Sequence, residues 1–173
     1  MTEPCDLSAT EARNLIGNKQ LSPIELLDSC IARIEAVNPA VNAICGTGFE
    51  RASEEAKAAE AAVQNGDLLG PLHGLPITIK DALETEGLLS TGGATELRDN
   101  VPERDAPVVA AVKAAGAIVM GKTNLPRWSG DIQSFNEIFG TTVNPWNKDR
   151  VPGGSSGGAA VAVAAGLTSF EIG

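Results

Sequence analysis

Residues 106–123, with the sequence APVVAAVKAAGAIVMGKT, indicate the fold class of this chain. The first part, residues 106–115, is rich in Ala and Val and predicts a helix that Gly116 ends. The next four residues, 117–120, are all apolar and predict a buried strand, because a short apolar run is typical of strands covered on both faces. A helix followed directly by a buried strand is characteristic of layered α/β proteins.

The same alternation occurs on both sides of this unit. Residues 75–81, LPITIKD, predict a short strand. Residues 157–166 predict a helix packed through small side chains, and residues 168–172 predict a further strand. Strands that alternate with helices favour parallel pairing, since the helix returns the chain to the start of the next strand. We therefore predict a layered α/β core.

The N-terminal third of the chain predicts helices. Two capping boxes, Ser8 to Glu11 and Ser22 to Glu25, mark two helix starts. We expect the second helix to end at Asn38-Pro39, because proline cannot donate the hydrogen bond that continues a helix. A third helix is predicted over residues 50–64 and stops at Asn65-Gly66.

The pattern changes near residue 70. We expect residues 1–70 to form a helical segment and residues 71–173 to form the α/β core of the same domain. Neither an internal repeat nor a low-complexity linker separates the two parts.

The composition is that of a globular protein and argues against several classes of partner. Hydrophobic residues make up 43% and charged residues 20% of the 173 residues, as is ordinary for a folded domain. The net charge of −9, without a basic cluster, argues against nucleic acid. No apolar run approaches the roughly 18 residues of a membrane span. Three cysteines without metal-ligand spacing and an N-terminus unlike a secretory signal favour the cytoplasm.

Residues 116–123 also match the nucleotide-binding phosphate loop, G-x-x-x-x-G-K-S/T. In that motif the four variable residues form a loop whose amides converge on phosphates, between a strand and a helix. Here residues 117–120 themselves predict the strand, and Pro126 falls where the following helix should run. Nucleotide binding through Gly116 to Thr123 is therefore a remote alternative.

Four glycines surround two serines in Gly-Gly-Ser-Ser-Gly-Gly, residues 153–158. Glycine permits positive φ and close approach of the backbone to a ligand. Three interpretations are open: a flexible linker, an anion site at the start of a helix, or a loop that holds a serine hydroxyl rigidly in an active site. The apolar Ala/Val helix and the strand that follow disfavour a linker, and we favour the active-site loop.

A catalytic serine needs a base to accept its proton. The only histidine, His73, lies in a Pro-Leu-His-Gly loop, where a structural role is more common. Lys80 is the other candidate, since it ends a strand with Ile77 and Ile79 beside it. Burial there would disfavour the ammonium and lower its pKa, and a neutral lysine can serve as general base for a hydroxyl. A solvated lysine at a strand end is the competing interpretation.

Four motifs together resemble the amidase signature family. They are Gly-Leu-Pro-Ile-Thr-Ile-Lys-Asp at 74–81, Gly-Lys-Thr-Asn at 121–124, Gly-Thr-Thr-Val-Asn-Pro-Trp at 140–146 and the serine loop at 153–158. Each motif alone is weak, but their order and spacing are those of the family. The resemblance covers essentially the whole chain and implies a layered α/β/α fold with a mixed sheet, of which this chain is the N-terminal part.

The resemblance also implies a chemistry and its residues. Members of the family hydrolyse amides through a Ser–cisSer–Lys triad, in which Lys80 corresponds to the base and Ser155 to the bridging serine after a cis peptide. Ser129, Gly154 and Ser156 correspond to positions on the substrate side, with Ser156 also supporting the loop. The expected partner is a small-molecule amide substrate. The resemblance implies neither a metal nor an organic cofactor.

The triad's nucleophilic serine lies about two dozen residues beyond the bridging serine in the family, after a glycine that Gly173 matches. The resemblance therefore implies that this chain is an N-terminal part without the nucleophile and is inactive alone. Its companion would be the C-terminal half or a second copy. The alternative is a non-catalytic module or one component of an amidotransferase-type assembly.

Overall fold

The computed structural model describes residues 3–173. The helices are α1 (Ala9–Gly17), α2 (Pro23–Val41), α3 (Phe49–Asn65), α4 (Pro107–Ala114) and α5 (Gly157–Ala164). The strands are β1 (Ile44–Thr47), β2 (Pro76–Lys80), β3 (Ile118–Thr123), β4 (Phe135–Asn136), β5 (Gly140–Thr141) and β6 (Glu171–Ile172).

The main sheet has four strands in the order β1-β3-β2-β6. Strand β2 runs parallel to both β3 and β6, whereas β1 is antiparallel to β3. All residues of β2 and β3 are buried, as expected for central strands covered on both faces. The predicted α/β fold with a mixed sheet is confirmed.

Both predicted capping boxes are present. At α1, Ser8 Oγ accepts from the Glu11 backbone N–H at 3.3 Å, and Glu11 Oε2 accepts from the Ser8 N–H at 3.0 Å. Ser22 and Glu25 form the same reciprocal pair at the start of α2. These signals are local in sequence, because each box satisfies the free amides of the first helical turn.

The predicted end of α2 at Asn38-Pro39 is wrong by about one turn, since the helix continues to Val41. Pro39 removes one donor, but the following turn still closes, because the Asn42 N–H donates to the Asn38 carbonyl at 2.8 Å. Asn42 then leaves the helix in a left-handed conformation, with φ of 50°, which asparagine tolerates better than most residues.

Within residues 3–70 the regular structure is helical except for β1, which the sequence did not predict. Strand β1 is short and contains Gly46, and its pairing partner β3 lies more than 70 positions along the chain. A pairing of that range leaves no local signal. The division at residue 70 stays a prediction, with the amendment that one strand of the first part belongs to the main sheet.

The core lies between this sheet and the helices α2 and α3. Helix α3 presents small side chains (Ala52, Ala56 and Ala59), which bring it close to the sheet. Across residues 3–173, none of the helices combines the length and apolar character needed to cross a membrane.

Candidate active site

Lys80 is the last residue of β2, at the carboxyl end of the parallel strands. Its neighbours Ile77 and Ile79 are fully buried, and Lys80 itself is only 8% exposed. The backbone N–H of Asp81 donates to the Thr123 carbonyl at 3.0 Å, so the chain stays bound to β3 just past the lysine. The carboxyl ends of parallel strands are the usual place for functional groups in α/β folds.

The serine loop brings two hydroxyls to the lysine nitrogen. Lys80 Nζ lies 2.7 Å from Ser155 Oγ and 2.9 Å from Ser156 Oγ. The peptide bond between Gly154 and Ser155 is cis. Residues 75 positions apart in sequence therefore form one hydrogen-bonded cluster.

Close backbone contacts hold the loop beside Lys80. A Cβ atom on Gly154 would lie 2.5 Å from the Asp131 carbonyl oxygen, so only glycine fits there. On the other side of the loop, the Gly157 N–H donates to Ser134 Oγ and the Gly158 N–H donates to the Asn124 carbonyl, both at 3.0 Å. The glycines thus allow the loop backbone to pack closely against neighbouring segments, which a flexible linker does not need.

Burial lowers the pKa of the Lys80 ammonium from its usual value, and the negative charge of Glu171 opposes this effect. A lower pKa increases the fraction of lysine that is a neutral amine near neutral pH. A neutral amine accepts a proton from a hydroxyl at hydrogen-bond distance, whereas an ammonium only donates. The cluster can therefore move a proton between Ser155 and Lys80.

Ser129 lies apart from this cluster. It ends a short 3-10 turn, Arg127–Ser129, and is exposed. Trp128 and Ser129 both have left-handed backbone conformations, with φ of 52° and 56°, and such conformations are uncommon away from glycine. Among residues 3–173, Ser129 forms no side-chain hydrogen bond with Lys80, Ser155 or Ser156.

A cavity of about 520 Å³ is connected to the serine loop only through Asp131, since neither Lys80 nor residues 153–158 line it. Asp131, which packs against Gly154, is one of its lining residues. The others include Gly93, Thr95, Arg127, Phe135, Asn136 and Glu137. The lining is partly polar and partly apolar, as in pockets that bind small molecules.

Comparisons with known proteins test the family resemblance of the four motifs. A model of the amidase family matches residues 25–173. The chain belongs to the amidase family. The resemblance of the four motifs is therefore confirmed as a family relationship.

Among curated amidase-family relatives, a glutamyl-tRNA(Gln) amidotransferase subunit from Moorella thermoacetica is 45% identical over 96% of this chain and 34% of its own length. A bacterial aryl acylamidase structure is 35% identical, with a TM-score of 0.88, over 94% of this chain and 34% of that one. A fatty acid amide hydrolase structure is 26% identical, with a TM-score of 0.93, over 100% of this chain and 31% of that one. The chain spans about a third of the length of the curated relatives it matches.

The amidase motif Gly-Lys-Thr-Asn contains a second buried lysine, whose role the sequence did not predict. Lys122 lies within β3 and is 1% exposed. Its Nζ donates to the Leu83 carbonyl at 2.6 Å, to Thr85 Oγ1 at 3.0 Å and to Ser90 Oγ at 2.9 Å. Burial lowers the pKa of Lys122 to about 8. Residues 118–123 are strand, so this segment lacks the geometry of a phosphate loop.

Glu171 is a half-buried group that sequence reasoning missed. Its Oε1 accepts from Thr123 Oγ1 at 2.5 Å, and burial raises the pKa of its carboxyl to about 7. A single acidic residue in a short C-terminal strand gives no sequence signal, because its environment comes from β2 and β3.

The two asparagines in the amidase motifs brace loops. Asn124 Nδ2 donates to the Gly140 carbonyl at 3.1 Å, and Asn144 Nδ2 donates to the Val151 carbonyl at 3.1 Å. His73 lies against α3, with Nε2 2.9 Å from the Ala59 carbonyl. The histidine therefore has a structural contact, and Lys80 is the base candidate that meets the serine loop.

Proposed function

We propose that the protein containing this chain cleaves an amide C–N bond, with Lys80 as general base and Ser155 as bridging serine. The observation that carries the proposal is the 2.7 Å distance between Lys80 Nζ and Ser155 Oγ. Burial of the lysine supports it, because the lowered pKa favours the neutral amine that a general base needs.

In this mechanism neutral Lys80 accepts the hydroxyl proton of Ser155. Ser155 in turn accepts the proton of a nucleophilic serine as that oxygen attacks the amide carbonyl. The proton returns along the same two groups to the leaving nitrogen when the C–N bond breaks. Water then cleaves the acyl-enzyme and releases the carboxylate.

Ser156 has a supporting role in the proposal. Its Oγ lies 2.9 Å from Lys80 Nζ, so the nitrogen is held between two hydroxyls. Gly154 lets the loop approach Asp131, which is a lining residue of the 520 Å³ cavity. We propose this cavity as part of the substrate site, with Ser129 near its rim.

The nucleophile belongs to the longer protein in this proposal. Family resemblance puts it beyond Gly173, so we expect residues 1–173 alone to hydrolyse no amide. The activity, like the substrate and the partners, is therefore proposed for the full-length protein.

We infer further that the full-length protein works within an amidotransferase-type assembly rather than as a stand-alone amidase. The support is that curated relatives from Moorella thermoacetica and Roseiflexus castenholzii, 45% and 41% identical, are named as glutamyl-tRNA(Gln) amidotransferase subunits. The structural neighbours are named as a fatty acid amide hydrolase and an aryl acylamidase. Both settings use cleavage of a C–N bond.

The chemistry is tested with Lys80→Ala and Ser155→Ala in the full-length protein, assayed against a panel of carboxamides. We expect each variant to lose on the order of 100- to 10,000-fold in kcat/KM, the usual contribution of a general base. Lys57→Ala is the matched control, since Lys57 is exposed on α3. Undiminished activity in either variant rules out the role of that residue.

Whether the protein works in an assembly or alone is tested by size-exclusion chromatography with light scattering on full-length protein expressed in its own genomic context. A hetero-oligomer supports the amidotransferase-type assembly. In contrast, a stable homogeneous species of this polypeptide alone, active on carboxamides, favours the stand-alone amidase.

A further inference from the structure

Glu171 and Lys80 lie on the same face of the main sheet. In the parallel pairing of β2 with β6, Thr78 is the register partner of Glu171. Thr78 and Lys80 are two residues apart in β2, and alternate residues of a strand point to the same face. The carboxylate of Glu171 therefore belongs to the face that carries the serine cluster.

Two contacts fix the carboxylate close to that cluster. Thr123, the register partner of Lys80 in β3, donates its hydroxyl to Glu171 Oε1 at 2.5 Å. The Glu171 carboxylate and the Ser156 hydroxyl both lie beside Gly173. A Cβ atom added to Gly173 would lie 3.0 Å from Glu171 Oε2 and 3.1 Å from Ser156 Oγ. Ser156 is itself hydrogen-bonded to Lys80.

The charges around Glu171 come from β2 and β3. Lys80 on β2 and Lys122 on β3 are the cations that act on it, and both favour the ionised carboxylate. Burial acts in the opposite direction and raises the pKa of Glu171 to about 7. The influence is mutual, because Glu171 raises the pKa of Lys80 against the effect of burial.

A buried hydroxyl on the same face adds to this environment. Thr78 is fully buried, and its Oγ1 has no hydrogen-bond partner among the residues that the structure describes. The Thr78 hydroxyl therefore lies beside Glu171 but does not hydrogen-bond to its carboxylate. Thr123 supplies the hydroxyl contact that holds Glu171.

We propose that Glu171 is a positioning residue that sets the pH at which Lys80 loses its proton. Ionised Glu171 stabilises the ammonium form of Lys80, and loss of that charge releases the neutral amine at lower pH. The inference rests on the proposed function of Lys80 as the base. Glu171 itself need not touch the substrate, since it acts through the lysine.

The first test measures Lys80 directly, in the full-length protein labelled with ¹³C at lysine Cε and titrated by NMR. The Lys80 signal is assigned by its loss in Lys80→Met. In Glu171→Gln, which keeps the shape and the acceptor for Thr123, we expect the Lys80 midpoint to move to lower pH. Glu55→Gln, a partly buried carboxylate on α3, is the control and leaves the midpoint in place. An unmoved or higher midpoint in Glu171→Gln overturns the inference.

The second test is the pH profile of kcat/KM for amide hydrolysis. One pH unit below the wild-type midpoint, with each profile scaled to its own plateau, Glu171→Gln should be roughly three- to fivefold more active than wild type, as expected for the loss of one nearby charge. An identical acid limb overturns the inference. If wild-type protein hydrolyses no amide, the proposed function fails, and the NMR titration still decides whether Glu171 controls Lys80.

Thr123→Val covers the case in which Glu171→Gln does not fold. It is close to isosteric and removes only the hydroxyl that stabilises the ionised carboxylate. Glu171 then stays protonated to higher pH, and the Lys80 midpoint moves in the same direction as in Glu171→Gln. A midpoint that rises or stays fixed contradicts the inference.

Discussion

Two buried lysines occupy opposite faces of the sheet at the carboxyl ends of β2 and β3. Lys80 pairs in register with Thr123, whereas Lys122 pairs with Ile79, the residue before Lys80. Successive residues of a strand point to opposite faces. The same side chain, buried in the same sheet, therefore meets two different environments.

The difference lies in the acceptors. The Lys122 ammonium donates to one backbone carbonyl and two hydroxyls of the segment 83–90, which satisfies its three N–H groups. Lys80 meets two serine hydroxyls, and a hydroxyl can donate as well as accept. Lys122 suits a structural cation, whereas Lys80 suits a group that gains and loses a proton.

The largest expected effect separates the two lysines by substitution with methionine. Lys80→Met in the full-length protein should reduce kcat/KM on the order of 100- to 10,000-fold with little loss of folding stability. Lys122→Met should lower the free energy of unfolding by about 3 kcal/mol, since it leaves buried acceptors unpaired. Denaturant titration and amide hydrolysis are measured on both variants. If Lys122→Met unfolds no more easily than Lys80→Met, the contrast between the two faces is wrong.

The next effect concerns the loop that faces Lys80. Gly154→Ala brings a methyl group against the Asp131 carbonyl, at 2.5 Å in the present geometry, so the loop must move. A displacement of about 1 Å in an active site can cost on the order of 100-fold in rate, and we expect a loss of that size in kcat/KM. Gly17→Ala on α1, where the nearest atom belongs to the flexible Arg13 side chain, is the control. Equal activity of the two variants would mean that the loop position does not matter.

A smaller effect concerns Glu171, on the same face as Lys80, and the pH dependence that it gives to the free energy of unfolding. Its pKa rises from 4.5 to about 7 on folding, so the folded state binds the proton more tightly than the unfolded state. The stabilisation is complete below pH about 4.5 and is lost as the pH rises to about 7. We expect Glu171→Gln to remove a fall on the order of 2 kcal/mol in the free energy of unfolding between pH 5 and pH 8. Denaturant titrations at both pH values give the measurement, and parallel curves for wild type and variant would contradict it.

The smallest effect is the loss of stability expected when a local contact far from both lysines is removed. Ser8→Ala removes the hydroxyl that accepts from the Glu11 N–H at the start of α1. The expected loss of stability is about 1 kcal/mol, with no change in the pH profile of hydrolysis. Thermal unfolding provides the measurement, with Ser53→Ala on α3 as the comparison. A shifted pH profile in Ser8→Ala would show that a loss of stability far from the sheet changes the pH profile as well, so that such a shift is not specific to Glu171 and Lys80.

Short-range features were predictable from the residues because their causes are short-range. The capping boxes at Ser8 and Ser22, the strand around Ile77 and the helix before Gly116 each depend on neighbours a few positions away. The motifs that contain Lys80 and Ser155 were recognisable through their order and spacing. The residues alone left Lys80 undecided between a base and a solvated side chain.

The features that the sequence did not predict depend on contacts between distant segments. The pairing of β1 with β3 joins residues more than 70 positions apart, and the meeting of Lys80 with Ser155 joins residues 75 apart. Burial by other elements shifts the pKa of Lys80, Lys122 and Glu171, and no local pattern carries that information. The amino-acid order was enough to specify helices, strands, a lysine at the end of a strand and a glycine-rich serine loop. Only the packed sheet decides which lysine faces the serines, because the face of a strand is set by its register with its neighbours.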